Sequence, residues 1–107
     1  MSNLSKQVAD TIQSQIGNQA LFMIGAKNLA FGGEFGTDQR PYLSFRIGKN
    51  SNKINYIKIS INENDLYDME FGYIRGVNYT VRKTLVDIYC DSLNKMIEIE
   101  TGLYTSL

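Results

Sequence analysis

Apolar residues recur every four positions at the start of the chain, where Leu4, Val8, Ile12 and Ile16 stand among Gln, Ser, Lys and Asp. That spacing predicts an amphipathic helix over 4–16 with one narrow apolar stripe. Ser2 or Asn3 is placed to cap its start, and Gly17 followed by Asn18 suits its C-terminal stop. The next run, ALFMIGAKNLAF, predicts a strand over about Ala20–Phe31, in which Gly25 marks a bulge or a close backbone approach. Residues 32–41, GGEFGTDQRP, hold three glycines and the only proline and read as a loop.

From Tyr42 onward the period becomes two. Leu43, Phe45 and Ile47 alternate with Tyr42, Ser44 and Arg46. After the turn GKNSNK, Ile57, Ile59 and Ile61 alternate with Tyr56, Lys58 and Ser60, and then Tyr67, Met69 and Phe71 with Asp68 and Glu70. Keeping both apolar sets on one face restricts the register. The pairing that leaves a three-residue loop at 62–64 sets Ile57 opposite Met69, Ile59 opposite Tyr67, Lys58 opposite Asp68 and Tyr56 opposite Glu70, with Asn64 left-handed. The fourth strand runs to about Ile74, RGVN turns, and YTVRK predicts a fifth strand with Tyr79 and Val81 inward. TLVD at 84–87 fits a capping box, Thr84 as cap and Asp87 reaching back. The helix it would open carries Val86, Tyr89, Leu93, Met96 and Ile97 on one face, with Cys90 in its middle. Gly102 is placed as a left-handed stop, Leu103 as the apolar contact after it, and the last residues as a docked tail.

The order α-β-β-β-β-β-α defines an α+β fold, a five-strand antiparallel meander flanked by an N-terminal and a C-terminal helix. At 107 residues it forms a single domain over 1–107. Packing both helices on the inner sheet face leaves the outer face open.

Composition narrows the function. Eleven Lys and Arg cancel eleven Asp and Glu, which argues against capture of duplex DNA or an anionic membrane by bulk charge alone. Histidine is absent, removing Ser-His and Cys-His nucleophiles and the usual zinc sites. The single cysteine, the lack of a membrane-length apolar run and an N-terminus unlike a signal peptide point to a cytoplasmic protein with no membrane partner. GGEFG is not followed by the Gly-Lys-Ser/Thr of a phosphate loop. Asp65, Asp68 and Glu70 lack the neighbouring Lys of a metal-dependent nuclease, and NENDLYDME lacks the spacing of a calcium loop. Nothing in the chain indicates an enzyme or a cofactor.

The expected outer face carries Tyr42, Arg46, Tyr56, Lys58, Asp68, Glu70, Thr80 and Arg82. Aromatic rings of this kind take unstacked bases while Arg and Lys hold phosphates, so single-stranded nucleic acid is a candidate partner. The same residues suit a solvated face with cross-strand ion pairs, each adding about 0.2–1 kcal/mol, or a protein or homodimer interface. A second cluster, Arg46, Lys49 and Lys53, lies on one strand-turn-strand, with Lys27 and Arg40 nearby if the first two strands pair.

The segments GAKN (25–28), LSFRIGKNSNKINYIKI (43–59), DLYDMEFGYIRG (65–76) and TGLYTSL (101–107) together resemble a group of small proteins encoded by bacterial viruses and prophages. The group has no established activity, so the resemblance assigns no residue a role. It implies a small binding protein, directed at nucleic acid or, as an anti-CRISPR or anti-restriction inhibitor, at a host defence protein complex.

Overall fold

The computed structural model describes residues 4–106, so the candidate caps Ser2 and Asn3 lie outside the described residues. The elements are α1 (Leu4–Ile16), α2 (Asn18–Met23), β1 (Lys27–Gly32), β2 (Tyr42–Arg46), β3 (Tyr56–Ile61), β4 (Tyr67–Arg75), β5 (Asn78–Ile88), a 3-10 turn (Cys90–Ser92) and α3 (Leu93–Thr101). The five strands form one antiparallel sheet in chain order, β1 and β5 being its edges. This is the expected α+β meander with a helix at each end.

The core lies between the sheet's inner face and the helices. Leu43, Phe45, Ile57, Ile59, Met69 and Phe71 from the sheet are buried against Ala9, Ile12 and Ile16 of α1 and Leu93 and Ile97 of α3. Side-chain hydrogen bonds lock the layers together. The Tyr67 hydroxyl donates to Gln15 Oε1 (2.8 Å), Asn94 Nδ2 to the Ile16 carbonyl (3.0 Å), and Asn52 Nδ2 to the Glu100 carbonyl (2.7 Å). Gly102 takes φ 77° after α3, as its position implies, and Leu103 packs on the core. Thr105 is buried and donates to Glu98 Oε2 from both its backbone N–H (2.8 Å) and its hydroxyl (2.6 Å), docking the tail. These bonds hold the Glu98 carboxyl below the ordinary glutamate range.

Four expectations need correction. The run after Gly17 is helical, not extended: Ala20, Leu21 and Ile24 are buried, the i, i+1, i+4 spacing of a helix, so the strand starts only at Lys27. A short apolar run carries too little periodicity to separate the two. Gly25 does mark a close backbone approach, with Gly48 N 3.2 Å from where its Cβ would stand.

Second, the β3–β4 register is shifted by two: Ile57 faces Phe71, Ile59 faces Met69 and Lys58 faces Glu70. The faces survive because the shift is even. Asn62 favours the longer loop. Its Oδ1 accepts from the N–H of Asn64 (2.8 Å) and Leu66 (3.2 Å), and Asp65 rather than Asn64 is left-handed, at φ 59°.

Third, β5 runs straight through the expected helix start. Thr84 pairs with Glu70 and Leu85 with Met69. The Asp87 carboxylate accepts from the side chains of Asn62 (2.8 Å) and Asn64 (3.3 Å) instead of capping a helix. Tertiary pairing overrides the local capping pattern, and Cys90 lies exposed in the turn before α3.

Fourth, Tyr79 and Val81 face outward. Phe71 pairs with Lys83 but Gly72 with Val81, so Arg82 is the extra residue of a β-bulge. One inserted residue reverses the alternation for everything before it. Tyr79 and Val81 therefore join the outer face at 43% and 49% exposure, and Thr80 falls opposite Tyr73 on the other.

Candidate functional site

The register arranges the outer face in rows across the strands. One row reads Lys27, Arg46, Tyr56, Gly72, Val81; the next Ala30, Ser44, Lys58, Glu70, Thr84; a third Gly32, Tyr42, Ser60, Asp68. The expected open face exists, and Tyr56 and Lys58 stand on it half-buried among their neighbours.

Its aromatic part is built around a missing side chain. A Cβ at Gly72 would stand 2.3 Å from Tyr79 Cε1 and 2.4 Å from its hydroxyl oxygen, so the Tyr79 ring occupies the space that any other residue would fill. There it meets Tyr56 edge to face, with centroids 5.4 Å apart at 80°. The Tyr79 hydroxyl donates to Glu70 Oε2 at 2.6 Å. Burial, then that bond and the carboxylate's charge, hold the Tyr79 phenol protonated far above the ordinary tyrosine range. Lys58 turns its ammonium over the Tyr42 ring, 4.7 Å from the centroid, rather than toward the Asp68 expected opposite it.

The basic part is a cleft of about 460 Å³ at the end of the sheet, where Arg46 of the outer face meets Tyr73 of the opposite one. Lys27, Arg46, Lys49 and Lys53 line it, together with Asn50, Asn55 and Tyr73, and no carboxylate is among the lining residues described. Asn50 shapes its hairpin: Nδ2 donates to the carbonyls of Gly48 (3.0 Å) and Ile54 (2.6 Å), while Oδ1 accepts from the Ile54 N–H (3.2 Å). Lys53 is left-handed at φ 55°. Asn55 bonds both backbone groups of Ile74 at 2.8 Å, extending the β3–β4 ladder to the cleft wall. Arg46 Nε is buried without a hydrogen-bond partner among the described residues, a donor held inside the cleft wall. Arg46 also pairs directly with Tyr56, so cleft and aromatic shelf adjoin.

Of the residues expected from sequence, Arg46, Lys49 and Lys53 come together here, with Tyr56 beside them and Lys27 added by the β1–β2 pairing. Lys58 and Tyr42 form their own pair, one and two rows away respectively. Arg82 stands on β5, three strands from Arg46, and Arg40 lies at the opposite end of the sheet, bound to Glu63 (2.8 Å). Tyr73, Asn55 and Tyr79 escape the sequence reading. Only the bulge reveals Tyr79, and no sequence signal marks the bulge.

Charge at the two ends of the sheet is unequal, although Glu100 of α3 also reaches the basic end, where its carbonyl accepts from Asn52. Lys27, Arg46, Lys49, Lys53 and Arg75 lie at the end of the sheet formed by the β2–β3 turn and the β4–β5 turn. Glu34, Asp38, Glu63, Asp65, Asp68, Asp87 and Asp91 lie toward the other, with Arg40 as the cation among them. None of the helices of the described residues is long and apolar enough to cross a membrane, and no three His, Cys, Asp or Glu side chains there are grouped to hold a metal ion. Compared with known protein families, characterised proteins and solved structures, the chain has no significant match.

Proposed function

We propose that this chain is a non-enzymatic binding module, encoded by a bacterial virus or prophage and acting in the host cytoplasm, that holds single-stranded nucleic acid on its outer sheet face. Phosphates enter the basic cleft, and bases stack beside it on Tyr56 and Tyr79. The observation that carries this reading is the cleft itself: four cations without a lining carboxylate, joined to an aromatic shelf through the Arg46–Tyr56 pair. Stacking contributes ~1–3 kcal/mol per base. Four phosphates neutralised on a single strand give a log–log salt slope of roughly −2.8, or about a fiftyfold loss of affinity between 50 and 200 mM salt.

Fluorescence anisotropy with a labelled single-stranded oligonucleotide across that salt range tests it. Replacing Arg46 and Lys53 by Ala should flatten the slope by roughly 1.4. Tyr56→Ala should weaken binding at every salt concentration and leave the slope unchanged. Absence of binding by the parent protein at low salt ends the proposal, as does a slope indifferent to the double substitution. A host defence protein complex is the second reading, favoured by exposed apolar side chains on the helix side, Phe22 (85%) and Tyr104 (75%). Nuclease-resistant co-purification with such a complex, without the salt-dependent shift, would select it.

A further inference from the structure

We infer that a second hollow on the outer face reads one base of the bound strand and selects guanine. Glu70 accepts from the base's N1–H and 2-amino group, and Lys58 donates to its O6. This rests on the nucleic-acid reading above and adds to it a choice of base. The hollow, of about 320 Å³, is lined by Tyr56, Lys58, Glu70, Ile74 and Tyr79. That volume suits a small ligand. Two of the lining residues are the rings of the aromatic shelf, so a base stacked there has its edge within reach of the charged pair.

A cation and a carboxylate face each other here without pairing. Lys58 of β3 stands directly opposite Glu70 of β4, a placement that sets Cβ atoms about 5 Å apart. Yet the ion pairs among the described residues are Lys6–Asp10 and Arg40–Glu63. Each charge goes to a ring instead: the Lys58 ammonium lies over Tyr42, and Glu70 Oε2 accepts from the Tyr79 hydroxyl. That bond orients the carboxylate and takes one of its roughly four lone-pair sites. Glu70 Oε1 and Lys58 Nζ have no hydrogen-bond partner among the described residues. An acceptor and a donor therefore stand ready beside a stacking surface.

Base chemistry selects the occupant. An unstacked base is read on its Watson–Crick edge. Guanine sets two donors, N1–H and the 2-amino group, side by side and next to the O6 acceptor, the complement of a carboxylate with an ammonium beside it. Adenine and cytosine place a ring-nitrogen lone pair next to their amino group, and the second carboxylate oxygen repels it. Thymine and uracil hold one N–H between two carbonyls, which leaves that oxygen facing an acceptor. Guanine alone engages both carboxylate oxygens.

Fluorescence anisotropy with labelled oligothymidines carrying one central dG, dI, dA or dC tests it. Inosine keeps N1–H and O6 and lacks only the 2-amino group, so it isolates the second bond to the carboxylate. The dG strand should bind about tenfold tighter than the dI strand, and tighter than dA or dC. Glu70→Gln, whose amide has a single acceptor oxygen, should remove most of that difference. Equal binding of dG and dI by the parent protein overturns the inference, as does a dG preference that Glu70→Gln leaves whole. Salt-dependent binding in those same titrations would keep the nucleic-acid reading standing without the base preference. No binding of any strand at low salt removes both.

Discussion

Replacing Gly72 by Ala probes the aromatic shelf through its smallest component. The new Cβ would stand 2.3–2.6 Å from three atoms of the Tyr79 ring, about 1 Å inside ordinary contact. Backbone on both sides is held by sheet pairing, so the ring is what yields. Tyr79 is 43% exposed and has room to swing outward. In doing so it gives up the edge-to-face pair with Tyr56, worth ~0.5–1.5 kcal/mol, and its hydrogen bond to Glu70. A bond to a carboxylate contributes ~1.5–3 kcal/mol at full strength, and partial exposure brings this one toward 1. Against those losses, Ala in a strand gains about 0.5–1 kcal/mol over Gly. The net cost is ~0.5–2 kcal/mol, a fall in Tm of several degrees for a domain of this size. With Tyr79→Ser already in place the ring is gone, and Gly72→Ala should stabilise by ~0.5–1 kcal/mol. Urea unfolding of the four proteins of this cycle should therefore give a coupling of roughly 1–3 kcal/mol. Effects that add within ~0.5 kcal/mol would refute the account, because two residues out of contact behave that way.

Two further predictions concern the same face. Tyr79 has its folded pKa raised, so its stabilising contribution is complete below the unfolded tyrosine value near ~10 and is lost as pH rises beyond it. Burial also raises Tyr67, so absorbance titration should show Tyr79 and Tyr67 ionising late; Glu70→Gln should move the Tyr79 step to lower pH without removing the delay that burial causes, and an unchanged profile in that variant would contradict the assignment. Asn50→Ala leaves two carbonyls and one N–H of the hairpin without their partner, costing ~1–3 kcal/mol in urea unfolding and weakening oligonucleotide binding by displacing Lys49 and Lys53.

The parts of the fold legible in the sequence are those where one period runs unbroken. The four-residue spacing of Leu4 to Ile16 gives α1, and the alternation from Leu43 to Phe71 fixes which faces of β2, β3 and β4 are buried. It fixes them even though the register it suggests lies two residues from the observed one, because parity rather than pairing decides the face. The reading fails where a single residue resets the phase. Arg82 does so in β5 and sends Tyr79 outward, and Thr84 with Asp87 offers a plausible helix start that pairing with β4 overrules. The same division runs through the site. Arg46, Lys49, Lys53 and Tyr56 are neighbours in sequence or across one hairpin, and they were foreseeable together. Tyr79 reaches Tyr56 only by way of a glycine on the strand between, and Lys27 reaches Arg46 only through the β1–β2 pairing.

The unequal charge at the two ends of the sheet reverses one lesson of the composition. A net charge of zero means no pull at long range, but it does not mean indifference to a field. With its poles set apart along the strand direction, the molecule behaves as a compass needle. Near a polyanion it rotates to arrive cleft first, so encounter rates should respond to ionic strength as those of a basic protein do, although an electrophoretic measurement would report almost no charge at all.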